Sequence, residues 1–89
     1  QSSEILACVD RYDTLYREEL MAEDSEDERL AHMKKLTGIY LKLGDTAKGA
    51  AYAQRAAEET GDPFLTEQAM YGYFMLAQGE ECLELEGGS

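Results

Sequence analysis

The sequence predicts an all-α protein of about four helices that form antiparallel helical hairpins. Three observations predict this fold class. Apolar side chains recur at intervals of three and four residues along most of the chain, as they do on one face of an α-helix. The single proline, Pro63, begins a segment instead of interrupting one. Gly-Asp pairs at 44–45 and 61–62 divide the chain into helix-sized pieces.

The first predicted helix covers residues 3–22 and is amphipathic. Its apolar stripe consists of Ile5, Val9, Tyr12, Tyr16 and Leu20, with Cys8 and Leu15 beside it. We expect this stripe to be the face that packs against the rest of the protein. An acidic stretch, residues 23–27, then interrupts the apolar pattern.

The second predicted helix begins near residue 26. Ser25 and Glu28 have the spacing of a capping box, in which the side chain of each accepts a hydrogen bond from the backbone N–H of the other. The side chains expected to point inward are Leu30, Met33, Leu36, Tyr40 and Leu43. Gly44 supplies the left-handed backbone conformation that commonly ends a helix.

The third and fourth predicted helices differ in side-chain size. The third, residues 46–60, is lined with alanine, which lets helix backbones approach closely, and Asp45 and Gly61 cap its two ends. Asp62 and Pro63 form a cap and first-turn pair that starts the fourth helix. One stripe of that helix is formed by Leu65, Ala69, Gly72, Leu76 and Gly79, and its other side by Met70, Tyr71, Phe74 and Met75.

Length and charge limit the kinds of partner. The 89 residues suffice for one small domain, which we place at residues 1–86, with residues 87–89 as a flexible tail or linker remnant. The net charge of −11 argues against nucleic acid and anionic membrane as direct partners, because both would be repelled. A basic partner surface would be attracted instead.

Hydropathy and cysteine content point to a protein without a membrane role. No run approaches the roughly 18 consecutive apolar residues of a membrane-spanning helix. Cys8 and Cys82 are too few for a disulfide framework, so we expect two reduced thiols and a cytoplasmic location.

The sequence offers few residues for catalysis. His32 is the only histidine, and since no nucleophile or orienting carboxylate is evident beside it, we expect a solvated residue on a helix face. A calcium loop beginning at Asp24 fails because its sixth position is Arg29 and its twelfth is Lys35. A zinc site lacks ligands and no glycine-rich phosphate loop exists, so we expect no enzyme activity, metal or cofactor.

The second and third predicted helices resemble a tetratricopeptide repeat over about 31 residues. The residues that carry the resemblance are Met33, Leu36 and Tyr40 on one helix, Ala56 on the next and Pro63 near the exit. The sequence departs from the family at Thr37, where the family favours glycine, and at Ala53, where it favours an aromatic residue. Gly44 and Gly79 lie about 35 residues apart, close to the family's period, which indicates one full unit and half of another. A generic four-helix bundle is the alternative.

The resemblance implies that the first helix of each pair lines a binding groove. The family's groove positions carry over to Ala31, Lys34, Gly38, Leu41, Lys42, Thr66, Ala69, Tyr73 and Leu76. Lys34 matches a lysine that grips terminal carboxylates in one variety of the family, but Gly38 and Met70 replace the asparagines of that site. The resemblance therefore implies an apolar or helical segment as the ligand. The alternative is that the apolar members of this set belong to the core.

The fourth helix offers a second candidate surface. The side around Tyr71, Phe74 and Met75 is expected to stay uncovered, unless the first helix folds back over it. The residues predicted to bind a partner are Lys34, Leu41, Lys42, Ala69, Tyr71, Tyr73, Phe74 and Met75. We expect a non-enzymatic interaction module or assembly subunit that binds a peptide or helix of a partner protein, or a second copy of the chain. The alternative is a compact acidic helical-bundle regulator or carrier that engages a basic partner by surface charge.

Overall fold

A computed structural model of the chain describes the backbone of residues 2–88 and the side chains of residues 3–79. Within these residues the protein is all-α, with four α-helices and no strand, which confirms the predicted fold class. The helices are α1 (Ser2–Leu15), α2 (Glu26–Lys42), α3 (Thr46–Thr60) and α4 (Pro63–Gly88).

The connection from α1 to α2 is itself helical. A π-helical turn, Tyr16–Leu20, follows α1, and a 3₁₀ turn, Met21–Glu23, leads to an extended Asp24. The helical path therefore covers the predicted residues 3–22, but its last part is not wound as an α-helix. In the π-helical turn the Met21 N–H donates to the carbonyl of Tyr16, five residues back, so the turn holds more residues than an α-helical one.

The start of α2 and the α2–α3 turn follow the predicted capping chemistry. The Ser25 side chain accepts a hydrogen bond from the Glu28 N–H at 3.2 Å, and the Glu28 carboxylate accepts one from the Ser25 N–H at 2.8 Å. Gly44 ends the helix with a φ of +88°, a conformation that L side chains rarely adopt. The Asp45 carboxylate then accepts a 3.0 Å hydrogen bond from the Lys48 N–H and starts α3. The predicted helical hairpin is confirmed.

The turn between α3 and α4 uses the same chemistry. Gly61 has a φ of +72°, and the Asp62 carboxylate accepts a 3.1 Å hydrogen bond from the Leu65 N–H. Accordingly, α4 begins at Pro63 as predicted. Its bounds extend to Gly88, into the residues for which we expect a tail.

The core lies between α2 and α3 and reaches the start of α4. Its buried members are Met33, Leu36, Tyr40, Tyr52, Ala56 and Leu65. The Cα atoms span 55 × 31 × 15 Å, so the helices form a thin layer in which α3 packs against both α2 and α4. A layer this thin cannot surround α4, and much of that helix therefore lies at the surface.

The packing face of α1 differs from the predicted apolar stripe. The exposed members of that stripe are Ile5, Tyr12 and Leu20. Tyr16 is buried as expected, but Asp10 and Asp13 also lie at the interface, where they accept hydrogen bonds from Tyr40 and Tyr52. Because charge-assisted hydrogen bonds are strong and directional, they fix the rotation of α1 in place of the apolar pattern.

Candidate interaction site

Five large side chains of α4 are exposed at the surface of the molecule. We call this set the outer face of α4, and it consists of Met70, Tyr71, Tyr73, Phe74 and Met75. The exposed fraction of these residues lies between 43% for Met75 and 67% for Met70. Single exposed apolar residues are common on protein surfaces, but five within six positions form a contiguous patch.

The inner stripe of α4 packs tightly against α3. Leu65 is fully buried, and a Cβ atom added at Gly72 would lie 2.8 Å from the Cβ of Ala50, closer than side chains tolerate. The two backbones therefore approach as closely as the small residues allow. Ala69, predicted to contact a partner, is only 6% exposed and lies in the lining of a groove between α3 and α4, so its contact with a partner stays a prediction.

The first helix does not shield the outer face of α4. Its polar side chains engage α2 and α3 instead, through residues such as Asp10, Asp13 and Arg17. The alternative in which the first helix folds back over Tyr71 and Phe74 is therefore excluded by the exposure of both residues.

A shallow open groove of about 360 Å³ runs between α3 and α4 beside the outer face. Its walls include Gln54, Ala57 and Glu58 from α3 and Thr66, Met70 and Tyr73 from α4. The Tyr73 hydroxyl donates a 2.7 Å hydrogen bond to Oε1 of Gln54 across the groove. This bond holds one aromatic ring of the outer face in a fixed position next to the groove.

Two of the predicted binding residues of α2 contact neighbouring helices. The Lys34 ammonium is 4.0 Å from an Asp62 carboxylate oxygen and 5.3 Å from the centre of the Phe64 ring, at the start of α4. Leu41 lies against Gly49, where an added Cβ atom would be 2.7 Å from its Cδ2 atom. Lys42 is exposed at the end of α2.

A second cluster of polar side chains, centred on Asp13, lies between α1 and the α2–α3 hairpin. One Asp13 oxygen is 2.8 Å from the Tyr52 hydroxyl and 2.8 Å from Nε2 of His32. The Arg17 guanidinium bonds the same carboxylate at 3.1 Å and reaches Glu59 of α3 at 3.0 Å. We call Asp13, Arg17, His32, Tyr52 and Glu59 the Asp13 cluster.

The position of His32 corrects the sequence-based expectation. We predict a solvated residue, but His32 is 5% exposed, and its ring stacks on that of Tyr16 with centroids 3.6 Å apart. The reason is Asp13, which provides a hydrogen-bond partner for a buried imidazole. The sequence signal for this polar contact is the spacing of Asp10, Asp13 and Arg17, which recur at intervals of three and four residues within the first predicted helix.

Next to the Asp13 cluster, Asp10 joins α1 to both helices of the hairpin. Its carboxylate accepts hydrogen bonds from the Lys48 ammonium and the Tyr40 hydroxyl. The bond from Lys48, followed by that from Tyr40, holds the pKa of Asp10 below its usual value. Burial, together with the bond to Asp10, raises the pKa of the Tyr40 hydroxyl.

These polar groups bind one another and leave no buried side-chain nitrogen or oxygen atom without a hydrogen-bond partner among the described residues. Burial, and then the hydrogen bond to Asp24, raises the pKa of Tyr16 to about 12, so this hydroxyl keeps its proton near neutral pH. The arrangement is that of a structural network which positions α1.

The described side chains form no group suited to a metal ion, and they include one exposed thiol. No three His, Cys, Asp or Glu residues among them are grouped so that they could hold a metal ion. Cys8 is a free, exposed thiol, while the side chain of Cys82 lies outside the described residues. No helix in this part of the chain combines the length and apolarity needed to cross a membrane.

Comparisons with known proteins leave the family of this chain open. A scan against protein-family models, a search of curated proteins and a search of solved structures each found no match. The resemblance to tetratricopeptide repeats thus stays a prediction carried by the residues named above.

Proposed function

We propose that this chain is a non-enzymatic protein-interaction module that binds a segment of a partner protein on the outer face of α4. The observation that carries the proposal is the exposure of five large side chains, all at least 43% accessible, on a helix whose opposite side is buried at Leu65, Ala69 and Gly72. A helix with two apolar faces requires two packing partners, and α3 supplies one of them.

The size of the patch supports this proposal. At about 200 Å² for a large side chain, the exposed fractions of the five residues amount to roughly 500 Å². Patches of this size on a monomer are often functional, and a stable interface buries about 800 Å² on each partner. The outer face alone therefore offers roughly 500 Å² of the area that such an interface buries on one partner.

The order of the helices supports a tetratricopeptide-like arrangement as part of the proposal. The α2–α3 hairpin forms one complete pair, and α4 stands where the first helix of a second pair would follow. The alternative is an acidic regulator that engages a basic partner by charge alone, for which the net charge of −11 is the supporting observation. Such binding would be lost at high salt, whereas apolar contact on α4 would persist.

Selection from a library of displayed random peptides tests the proposal. We expect the selected peptides to bind the full chain, to lose binding to Phe74→Asp, and to retain binding to Leu15→Asp, a matched change at an exposed apolar residue of α1. Circular dichroism should show that both variants stay folded, because both side chains are exposed. Peptides that bind the two variants equally well, or a selection that yields no binder, would contradict the proposal.

A further inference from the structure

This inference rests on the proposed function and names the class of partner. We propose that the outer face of α4 takes a basic amphipathic α-helix of another protein, which packs on α4 in the way that α3 packs on α2. Three observations lead to it: the shared start of α2 and α4, the opposite burial of their equivalent residues, and the charge around the outer face.

The caps of α2 and α4 define equivalent positions in the two helices. Ser25 precedes α2 and accepts a hydrogen bond from the N–H three residues later, and Asp62 does the same before α4. Counted from these caps, equivalent pairs are Met33 and Met70, Leu36 and Tyr73, Thr37 and Phe74, and Tyr40 and Ala77. The two helices can thus be compared residue by residue without any assumption about their family.

The equivalent residues have opposite environments. In α2 all four are at most 3% exposed, and they lie in the core with Tyr52 and Ala56 of α3. In α4 all four are exposed. His32 and its equivalent Ala69 are both buried. Met70, Tyr73, Phe74 and Ala77 of α4 thus lie at the surface, at positions that are buried on α2. The other two residues of the outer face, Tyr71 and Met75, correspond to Lys34 and Gly38, which are not buried on α2.

The element that covers the four buried positions on α2 defines the shape of the partner. It is a helix of 15 residues that presents Gly49, Tyr52 and Ala56 toward α2, with the Tyr52 ring centre 5.5 Å from that of Tyr40. Small residues around one aromatic side chain allow close backbone approach and fill the space between large residues. A partner helix of similar length with small and aromatic residues on one face would fit α4 in the same way.

Charge around the outer face selects a basic helix. The sequence of α4 contains five glutamates and no lysine or arginine, and Glu58 and Glu67 are exposed beside the outer face. Lys34 pairs with Asp62, and Arg55 lies beside the Asp13 cluster. A helix with lysine or arginine flanking its apolar face would therefore be attracted. A second copy of the chain, with a net charge of −11, would be repelled.

Two designed peptides test the class of partner. Both carry the sequence of residues 46–60, keep the apolar face of Gly49, Tyr52, Ala53 and Ala56, and are cross-linked on the opposite face so that each is helical alone. One has lysine and the other glutamate at the flanking positions. Fluorescence anisotropy measures their affinity for the full chain, for Phe74→Asp and for Leu15→Asp.

We expect the lysine peptide to bind the full chain and Leu15→Asp equally, and Phe74→Asp at least about tenfold more weakly. At about 50 mM salt, the glutamate peptide should bind the full chain at least about tenfold more weakly than the lysine peptide does. This difference in affinity should become smaller at about 500 mM salt. Sedimentation of the full chain without peptide should show a monomer.

Several results would overturn the inference. Equal affinity of the lysine and glutamate peptides would remove the preference for a basic helix, and absence of binding by both would remove the helix-shaped site. A dimer that Phe74→Asp dissociates would identify a second copy as the occupant. If library-selected peptides bind through Phe74 but stay extended by circular dichroism, the inference fails while the proposed function stands.

Discussion

The two junctions that join outer helices to the α2–α3 hairpin are built in opposite ways. The α3–α4 junction is close-packed, with Gly72 against Ala50 and a fully buried Leu65. The α1 junction is polar: Asp10 and Asp13 accept hydrogen bonds from four side chains of α2 and α3, and its apolar contacts are only partly buried.

The difference shows that this small domain uses two kinds of stabilisation. Close packing depends on shape and on apolar area, so it responds to changes in side-chain volume and little to pH. Hydrogen bonds to carboxylates depend on charge and direction, so they respond to the loss of one group or to protonation. Substitutions at the two junctions should therefore have different effects on stability and on its pH dependence.

The largest effect is expected at the close-packed junction. Leu65→Ala removes a fully buried side chain and leaves a cavity, so we expect unfolding free energy to fall by about 2–4 kcal/mol in urea denaturation. Phe64→Ala, at an exposed neighbour in the same helix, should cost less than about 1 kcal/mol. Equal losses for the two variants would show that α4 is not packed as described.

A smaller effect is expected at the polar junction. Asp13→Ala leaves Tyr52 and the buried His32 without an acceptor, so we expect a loss of about 1–3 kcal/mol. Hydrogen exchange should show that the amides of α1 lose more protection than those of α3, because α1 is the element released. As a control, Asp27→Ala changes an exposed aspartate and should leave exchange in α1 unaltered. An equal loss of protection in α1 and α3 would show that the polar junction does not hold α1 independently of the rest of the fold.

The smallest effect is a pH dependence of the polar junction through Asp10. Its pKa is lowered in the folded protein, mainly by the hydrogen bond from Lys48, so the ionised form favours folding. This contribution is complete above the ordinary value of 3.8 and is lost as the pH falls through the lower, folded-state pKa. Because the Asp10 side chain is 43% exposed, we expect less than about 1 kcal/mol.

Urea denaturation of the protein and of Asp10→Asn between about pH 6 and pH 2 measures this term. The difference in unfolding free energy should be constant above about pH 4 and should shrink below it. A difference that grows on acidification would mean that Asp10 stabilises the fold in its protonated form.

Local sequence signals predicted the helices well, because their causes are local. Ser25, Gly44, Asp45 and Asp62 act within a few residues, and each has the predicted role in the structure. The exposure of the outer face of α4 was also predictable, since a helix apolar on nearly all sides needs more neighbours than a short chain supplies.

The rotation of α1 and the burial of His32 could not be predicted in the same way. Both depend on partners distant in sequence, such as the Tyr52 hydroxyl, and a hydrophobic pattern assigns aspartate to the surface. A buried carboxylate with several donors is favourable only when the donors are in place, and sequence spacing alone does not show that. The same limit applies to Lys34, whose pairing with Asp62 and Phe64 depends on where α4 begins.

The π-helical turn at Tyr16–Leu20 sets the rotation of α1 relative to the residues that follow the turn. Before it, α1 presents Asp13 to the hairpin; after it, the Met21 carbonyl accepts a 2.8 Å hydrogen bond from Arg29, and Asp24 accepts one from the Tyr16 hydroxyl at 2.6 Å. One residue of an α-helix corresponds to about 100° of rotation. The extra residue held in the wide turn thus fixes the angle between the two sets of contacts. A single-residue insertion or deletion in this turn would rotate one set away from the hairpin and leave the other set in place.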